Sequence, residues 1–132
     1  MTPQELASAL IRVFEGCRLT SYRDTGGVWT IGFGHTGPDV VEGLTITQDQ
    51  ADAFLAADST PLFTAVAGRP VIQQAALVSF GYNCGLSKLE EVLAGHSLIG
   101  QFVHDRHGNV LPGLEARRAL EEALVAATLT AS

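Results

Sequence analysis

Between residues 26 and 37 the chain carries Gly26, Gly27, Gly32, Gly34 and Gly37, the last followed by Pro38. No stable helix runs through such a stretch, because each interior glycine costs roughly 1 kcal/mol of helix stability and proline costs about three times that. Short runs rich in Tyr, Val, Trp, Thr and Ile flank Thr25-Gly26-Gly27, which predicts a β-hairpin within 19–35. Helix signals fill the rest. Thr2 and Glu5 form a capping box around Pro3, and Leu6, Leu10, Val13, Phe14 and Cys17 follow at helical spacing, with Gly16 as a weak point. Thr47 and Gln50 form a second capping box for a helix running toward Val66, which Pro61 either kinks or divides. Further helices are expected from Val71 to about Cys84, from a Ser87/Glu90 cap to near Gly95, and from about Leu114 to Leu129, with Gly85 as a stop. One helix, a small β-element and then helices alone describe an α+β protein with a minor sheet near its amino end.

At 132 residues, with 46% hydrophobic and 17% charged residues, the chain is long enough for one well-buried domain, expected to span 1–132. Its net charge of −6 argues against nucleic acid as a partner, since phosphate binding needs dense Lys and Arg. Residues 1–60 hold eight acids and three bases, and residues 61–132 six acids and five bases. No apolar run approaches the ~20 residues of a membrane helix, so no membrane insertion is expected. Met1-Thr2-Pro3-Gln4-Glu5 has no basic or apolar signal character, which predicts accumulation in the cytoplasm where the chain is made. Cys17 and Cys84 are too few for a disulfide framework or a metal site and read as buried thiols.

The residues suited to chemistry concentrate between Glu15 and Thr36. Glu15 sits beside apolar Phe14 near a helix end, where partial burial would raise its pKa and suit it to donate a proton. Asp24, nine residues on, lies at a glycine-rich turn and should stay ionised. Two carboxylates in contrasting settings meet the demand of glycosidic-bond cleavage for an acid and a base or nucleophile. Thr30 depends on the turn. A two-residue Gly26-Gly27 turn pairs Asp24 with Trp29 and sends Thr30 to the opposite face, whereas a three-residue turn or a bulge puts Asp24 and Thr30 on one face, able to hold a water.

Competing motifs are weaker. Gly32-Phe33-Gly34-His35-Thr36-Gly37 fits a dinucleotide fingerprint, but Pro38 follows and no helix opens there. His104 and His107 would suit a metal on one helical turn, yet Gly108 and Pro112 indicate a loop and no third ligand is evident. Glu121-Glu122 beside Arg117-Arg118 reads as a solvated helix face. Trp29 reads as packing against the hairpin rather than as a sugar-stacking platform.

Glu15-Gly16, Arg18, Tyr22, Asp24, Gly27 and Thr30-Ile31-Gly32-Phe33-Gly34-His35-Thr36, with the spacing Glu-x8-Asp-x5-Thr, resemble the catalytic segment of the phage-type lysozymes, glycoside hydrolase family 24. Two later segments extend the resemblance over most of the chain: Ala76 to Gly85, and Leu111-Pro112-Gly113-Leu114 with Arg117-Arg118. The resemblance implies a mostly helical, two-lobed lysozyme-like fold, with a hairpin lobe over about 18–46 and a helical lobe over about 68–132 packed with a helix over 3–17. The cleft would lie between the lobes. The implied activity is hydrolysis of the β-1,4 bond between N-acetylmuramic acid and N-acetylglucosamine of bacterial peptidoglycan, with inversion and no metal or organic cofactor. Glu15 would be the general acid, and Asp24 and Thr30 would position the water. Arg117, with Arg118 as second choice, would pair with the acid, and His35 and Asn83 would support the site, His35 in a structural part. A separate holin would release a monomeric enzyme from the host cytoplasm to act in the periplasm or cell wall. The chain departs from the family between Gly85 and Phe102, where relatives are longer, and at Val103 to Asn109, where they commonly carry a Trp. The alternative is therefore a catalytically weak peptidoglycan-binding or regulatory derivative with a shortened large lobe. A lytic transglycosylase is disfavoured by the Asp24/Thr30 pair, which such an enzyme does not need.

Overall fold

A computed structural model of the chain describes residues 1–105 and 107–131. Its elements are α1 (Pro3–Glu15), β1 (Arg18–Arg23), β2 (Trp29–Gly32), β3 (His35–Thr36), α2 (Gln48–Ala65), α3 (Val71–Cys84), α4 (Leu86–Leu93), a 3₁₀ turn (Ile99–Gln101) and α5 (Pro112–Ala131). The α+β order expected from the sequence is the order observed. No described helix is long and apolar enough to cross a membrane.

Both capping boxes form. Glu5 N–H donates to Thr2 Oγ1 at 3.0 Å while Thr2 N–H donates to Glu5 Oε2 at 3.3 Å. Gln50 N–H donates to Thr47 Oγ1 at 3.1 Å and Thr47 N–H to Gln50 Oε1 at 2.9 Å. Each pair satisfies orphan donors at a helix start. The third expected cap does not form. Leu86 already begins α4 behind Gly85, so Ser87 lies inside the first turn and makes no capping bond. Pro61 neither divides α2 nor stops it. Just before it the hydroxyls of Ser59 and Thr60 donate back to Leu55 O and Ala56 O, both at 2.8 Å, within the preceding turn of the helix.

The chain forms two compact units, Ile11–Thr60 and a second made of Met1–Leu10 with Pro61–Ser132. In the first, β1, β2 and β3 form an antiparallel sheet in that order. β1 is also flanked by the segment around Thr45, through the Thr20/Thr45 bridge and the bonds of Ser21 N–H to Leu44 O and Ile46 N–H to Leu19 O. Ile11, Ile31, Phe33, Val40, Ile46, Ala51 and Leu55 are its buried apolar residues. Arg12, near the end of α1, is tied to Asp52 of α2 at 2.8 Å and lies 4.6 Å from the Phe33 ring centre. The face of α1 is rotated from the expected one. Ala7 and Ile11 are its buried residues, whereas Val13 is 80% exposed. Cys17 lies beyond the helix and is exposed, not a buried thiol, and Cys84 is half-buried.

In the second unit α3 is buried nearly all round, from Ala75 to Gly81, as its continuous apolar character requires. Arg117 and Arg118 of α5 are also buried, and so is Glu121. This overturns the solvated-face reading, because i,i+4 charge spacing is the same whether a helix face meets water or a neighbour. Arg118 Nε lies 2.6 Å from Glu121 Oε1, and Ser79 Oγ donates to Glu121 Oε2 at 2.7 Å. Arg117 Nη2 donates to Ser79 O at 2.9 Å. Burial pushes the Glu121 carboxyl up, against the pull of Ser79 and both arginines. Glu122, one residue on, is exposed and caps Gly100 N–H at 2.7 Å.

Removing one partner of a buried ion pair strands the other in low dielectric. Glu121→Leu is expected to cost about 3–5 kcal/mol by urea denaturation, and Arg118→Leu combined with it less than the sum of the two single changes.

Candidate active site

The hairpin register decides which side chains share a face. Tyr22 pairs with Thr30 and Arg23 with Trp29. Asp24 N–H donates to Val28 O at 2.9 Å and Gly27 N–H to Asp24 O at 2.9 Å, so the loop between the paired residues is the three-residue Thr25-Gly26-Gly27. Side chains alternate along a strand, so Tyr22 and Asp24 fall on the face of Thr30, while Arg23 and Trp29 fall on the other. The three-residue alternative is the one realised. Gly27 adopts φ +80, a left-handed geometry that glycine takes without Cβ strain.

Asp24 builds this loop with its own carboxylate. Oδ1 accepts from Gly26 N–H at 2.8 Å and from Val28 N–H at 2.9 Å. Asp24 Oδ2 has no protein partner among the described residues. Thr30 is 3% exposed, and its hydroxyl donates to Val28 O at 2.9 Å. With its proton so committed, Thr30 Oγ1 meets a water only as an acceptor. The same loop is built a second time, in the other unit. Asp105 Oδ1 accepts from His107 N–H at 2.8 Å and Asn109 N–H at 3.0 Å, Asp105 N–H donates to Asn109 O, and Gly108 takes φ +84. His104 pairs with Val110, so His104 and His107 lie on a small hairpin rather than a helical turn. These backbone bonds, Asn109 first, hold the Asp105 carboxyl below the usual carboxylate range.

Glu15 is the last residue of α1 and is half-buried. Its Oε2 lies 3.2 Å from where a Cβ on Gly34 would sit, and Gly34 has φ +82. A side chain there would push against the carboxylate, so glycine lets the β2–β3 turn approach Glu15 closely. His35, next in the chain, is clamped. Nδ1 lies 2.7 Å from Asp58 Oδ2, Nε2 lies 3.0 Å from Asp39 Oδ2, and the ring stacks on Phe54 at 3.9 Å between centroids. Burial alone would pull the imidazole down, but hydrogen bonds to Asp58 and Asp39, with their charges, outweigh it and raise His35 above its ordinary value. Asp39 is held below its ordinary value, chiefly by its bond to His35.

In the other unit Asn83 Oδ1 accepts from Arg118 Nη1 at 2.9 Å, and Cys84 Sγ lies 2.8 Å from the same nitrogen. Arg117 is fixed by Ser79 and, through Nε at 3.4 Å, by Glu121. Asn83, Cys84, Lys88, Phe102 and His104 are among the residues lining a pocket of about 330 Å³ within this unit. Sequence reasoning missed Asp58 and Asp39 as partners of His35 and Ser79 as a partner of Arg117, and it took the i,i+4 spacing of Arg117 and Glu121 for a solvated face. Asp39, four residues from His35, and Glu121, four from Arg117, left a local signal, whereas Asp58 and Ser79 are distant in sequence. Trp29 has the Arg23 guanidinium 4.8 Å from its ring centre, which fits the packing reading.

A glycine-bounded sheet carrying an Asp and a Thr on one face, with a Glu at the preceding helix end and helices after it, defines an α+β protein of the lysozyme fold. The phage lysozyme family model matches residues 12–121, and the chain belongs to that family. It is 37% identical over 125 residues to the endolysin of Lactococcus phage c2, covering 85% of this chain and 54% of the relative. It is 33% identical to the endolysin of Acyrthosiphon pisum secondary endosymbiont phage 1, covering 91% and 94% respectively. The chain spans about half the length of the Lactococcus and Bacillus phage endolysins that it matches. Among solved structures, the muramidase domain of SpmX from Asticaccaulis excentricus superposes with a TM-score of 0.71 at 33% identity, over 89% of this chain and 92% of that one. The active form of P1 phage endolysin Lyz superposes with a TM-score of 0.79 at 24% identity, over 95% of this chain and 85% of that one, a likeness of fold.

The His35 clamp sets a pH window. The part from His35 is fully present below its unfolded value of about 6.5 and is lost as pH rises through the higher folded value. The part from Asp39 is present above about 3.9 and is lost as pH falls through the lower folded value. Chemical denaturation should therefore show the largest stability difference between the wild type and His35→Asn near pH 5 to 6, about 2 kcal/mol, narrowing toward pH 9.

Proposed function

We propose that the chain is a muramidase, an inverting hydrolase of the β-1,4 bond between N-acetylmuramic acid and N-acetylglucosamine in peptidoglycan. The observation that carries this reading is the hairpin register, which puts Asp24 and Thr30 on one face with Thr30 able only to accept. A water donating one hydrogen to Asp24 Oδ2 and the other to Thr30 Oγ1 keeps an oxygen lone pair directed away from both, toward an anomeric carbon. Protonated Glu15 gives its proton to the glycosidic oxygen as the C–O bond breaks. The water oxygen bonds to the anomeric carbon from the opposite face, and Asp24 takes the water's proton. The products are a new reducing end and a released alcohol. Proton exchange with solvent restores Glu15 and Asp24. Arg117 is the supporting cation in this reading, and Asn83 and His35 are supporting positions. The reaction draws its acid and base from the chain and calls on no metal or organic cofactor. We place the enzyme as a monomer made in a host bacterium's cytoplasm, reaching the cell wall after a separate holin permeabilises the membrane.

Incubation with purified peptidoglycan followed by muropeptide analysis tests the reading. Reducing ends with inverted configuration are expected. Anhydro-sugars would assign a lytic transglycosylase, and intact glycan with retained binding would assign a non-catalytic binding derivative. Glu15→Gln is expected to remove cleavage while leaving the thermal midpoint unchanged, and turnover at the wild-type rate would sink the acid assignment. With a charge of −6 facing a carboxylate-bearing polymer, long-range attraction is weak, so pelleting with cell walls should fall only mildly between about 50 and 200 mM salt.

A further inference from the structure

The hydroxyl of Tyr22 has no hydrogen-bond partner among the described residues, although its surroundings are built. The ring is half-buried and stands opposite Thr30 across the sheet, on the face that carries Asp24. The Arg18 guanidinium lies 4.3 Å from its ring centre, occupying one π-face. Arg18 makes no ion pair among the described residues, although the Ile11–Thr60 unit holds seven acids against three arginines. The Tyr22 oxygen makes no hydrogen bond among the described residues. Burial pushes the hydroxyl up, Arg18 pulls against it, and the negative charges of Glu15 and Asp24 add to the rise. The phenol thus lies within the fields of both carboxylates and keeps its proton at neutral pH.

We infer that Tyr22 is a substrate-binding residue of the hydrolase, whose hydroxyl donates a hydrogen bond to an oxygen substituent of the amino sugar lying against Asp24 and Thr30. The inference rests on the muramidase reading. Two features suit it to hydrogen bonding. The cation over the π-system draws electron density from the ring and makes the O–H a better donor. The cross-strand pair with Thr30 and the stack with Arg18 fix the ring before substrate arrives, so little rotamer freedom is lost on binding. A sugar oxygen is the matching acceptor, being neutral and therefore compatible with a site already holding two carboxyl groups.

Tyr22→Phe keeps the ring and the Arg18 stack and deletes only the hydroxyl. It should leave the thermal midpoint within about 2 °C of wild type and lower kcat/KM on peptidoglycan about tenfold. In a Glu15→Gln background it should weaken binding of a soluble tetrasaccharide of alternating N-acetylglucosamine and N-acetylmuramic acid about tenfold by calorimetry. The pH profile of kcat/KM should keep its shape, because the phenol transfers no proton. Wild-type kcat/KM and wild-type affinity in Tyr22→Phe would overturn the inference while leaving the muramidase reading intact. A displaced acidic or basic limb, or a lowered thermal midpoint with unchanged tetrasaccharide affinity, would also overturn it, by assigning the hydroxyl to carboxylate tuning or to structure. If the wild type forms no reducing ends but Tyr22→Phe still weakens tetrasaccharide binding, the hydrolase reading fails and the sugar contact stands.

Discussion

The two hydrogen bonds that Asp24 Oδ1 accepts, from Gly26 and Val28, carry most of what the sheet does. They fix the loop at three residues, and the loop length fixes the register. With one residue fewer, Thr30 and Asp24 would lie on opposite faces, and no water would meet both. The Asp24 carboxylate thus shapes the turn that carries it. One oxygen is committed to the backbone, and among the described residues no side chain competes for the other. The Asp105 loop shows that the bonding pattern is a local solution open to Asp-x-x-Gly-x and not peculiar to the Asp24 hairpin.

Glu15 is placed by different means. The helix that carries it is anchored near its end by the Arg12 contacts to Asp52 and Phe33, and the β2–β3 turn comes close because Gly34 has no side chain. The residue after Gly34 is His35, bonded to Asp58 and Asp39 and stacked on Phe54. A clamp on one residue therefore holds its neighbour against Glu15.

The helical unit answers a different problem, the burial of charge. Arg117, Arg118 and Glu121 share one face of α5, and Ser79 of α3 supplies a hydroxyl and a carbonyl to them. Such a cluster is weak evidence of stability, since desolvating three charges offsets much of their attraction. Its effect is geometric. Arg118 reaches on to Asn83 and Cys84, so the orientation of α5 also sets the side chains lining the pocket of that unit.

Local chemistry made several features readable from the residues alone. Thr2/Glu5 and Thr47/Gln50 satisfy backbone donors three residues away, so their capping boxes need no tertiary partner. The glycines of 26–37 exclude helix wherever that segment packs, and the apolar run of α3 demands burial on every side. The Glu-x8-Asp-x5-Thr spacing, with the later segments, pointed to the phage lysozyme family, and the family model matches residues 12–121. What the residues left open concerned faces and partners. Val13 points outward because burial of α1 is decided by what packs on it, and Ala7 and Ile11 fit the same periodic pattern almost as well. Arg117, Arg118 and Glu121 read as a solvated face because charge spacing along a helix is blind to the neighbour that covers it. The turn allowed two registers, and the choice between them came from hydrogen bonds folded into the loop. Sequence determined the elements and the chemical groups, through interactions that reach only a few residues. Tertiary structure decided which of those groups meet, because that depends on contacts between segments tens of residues apart.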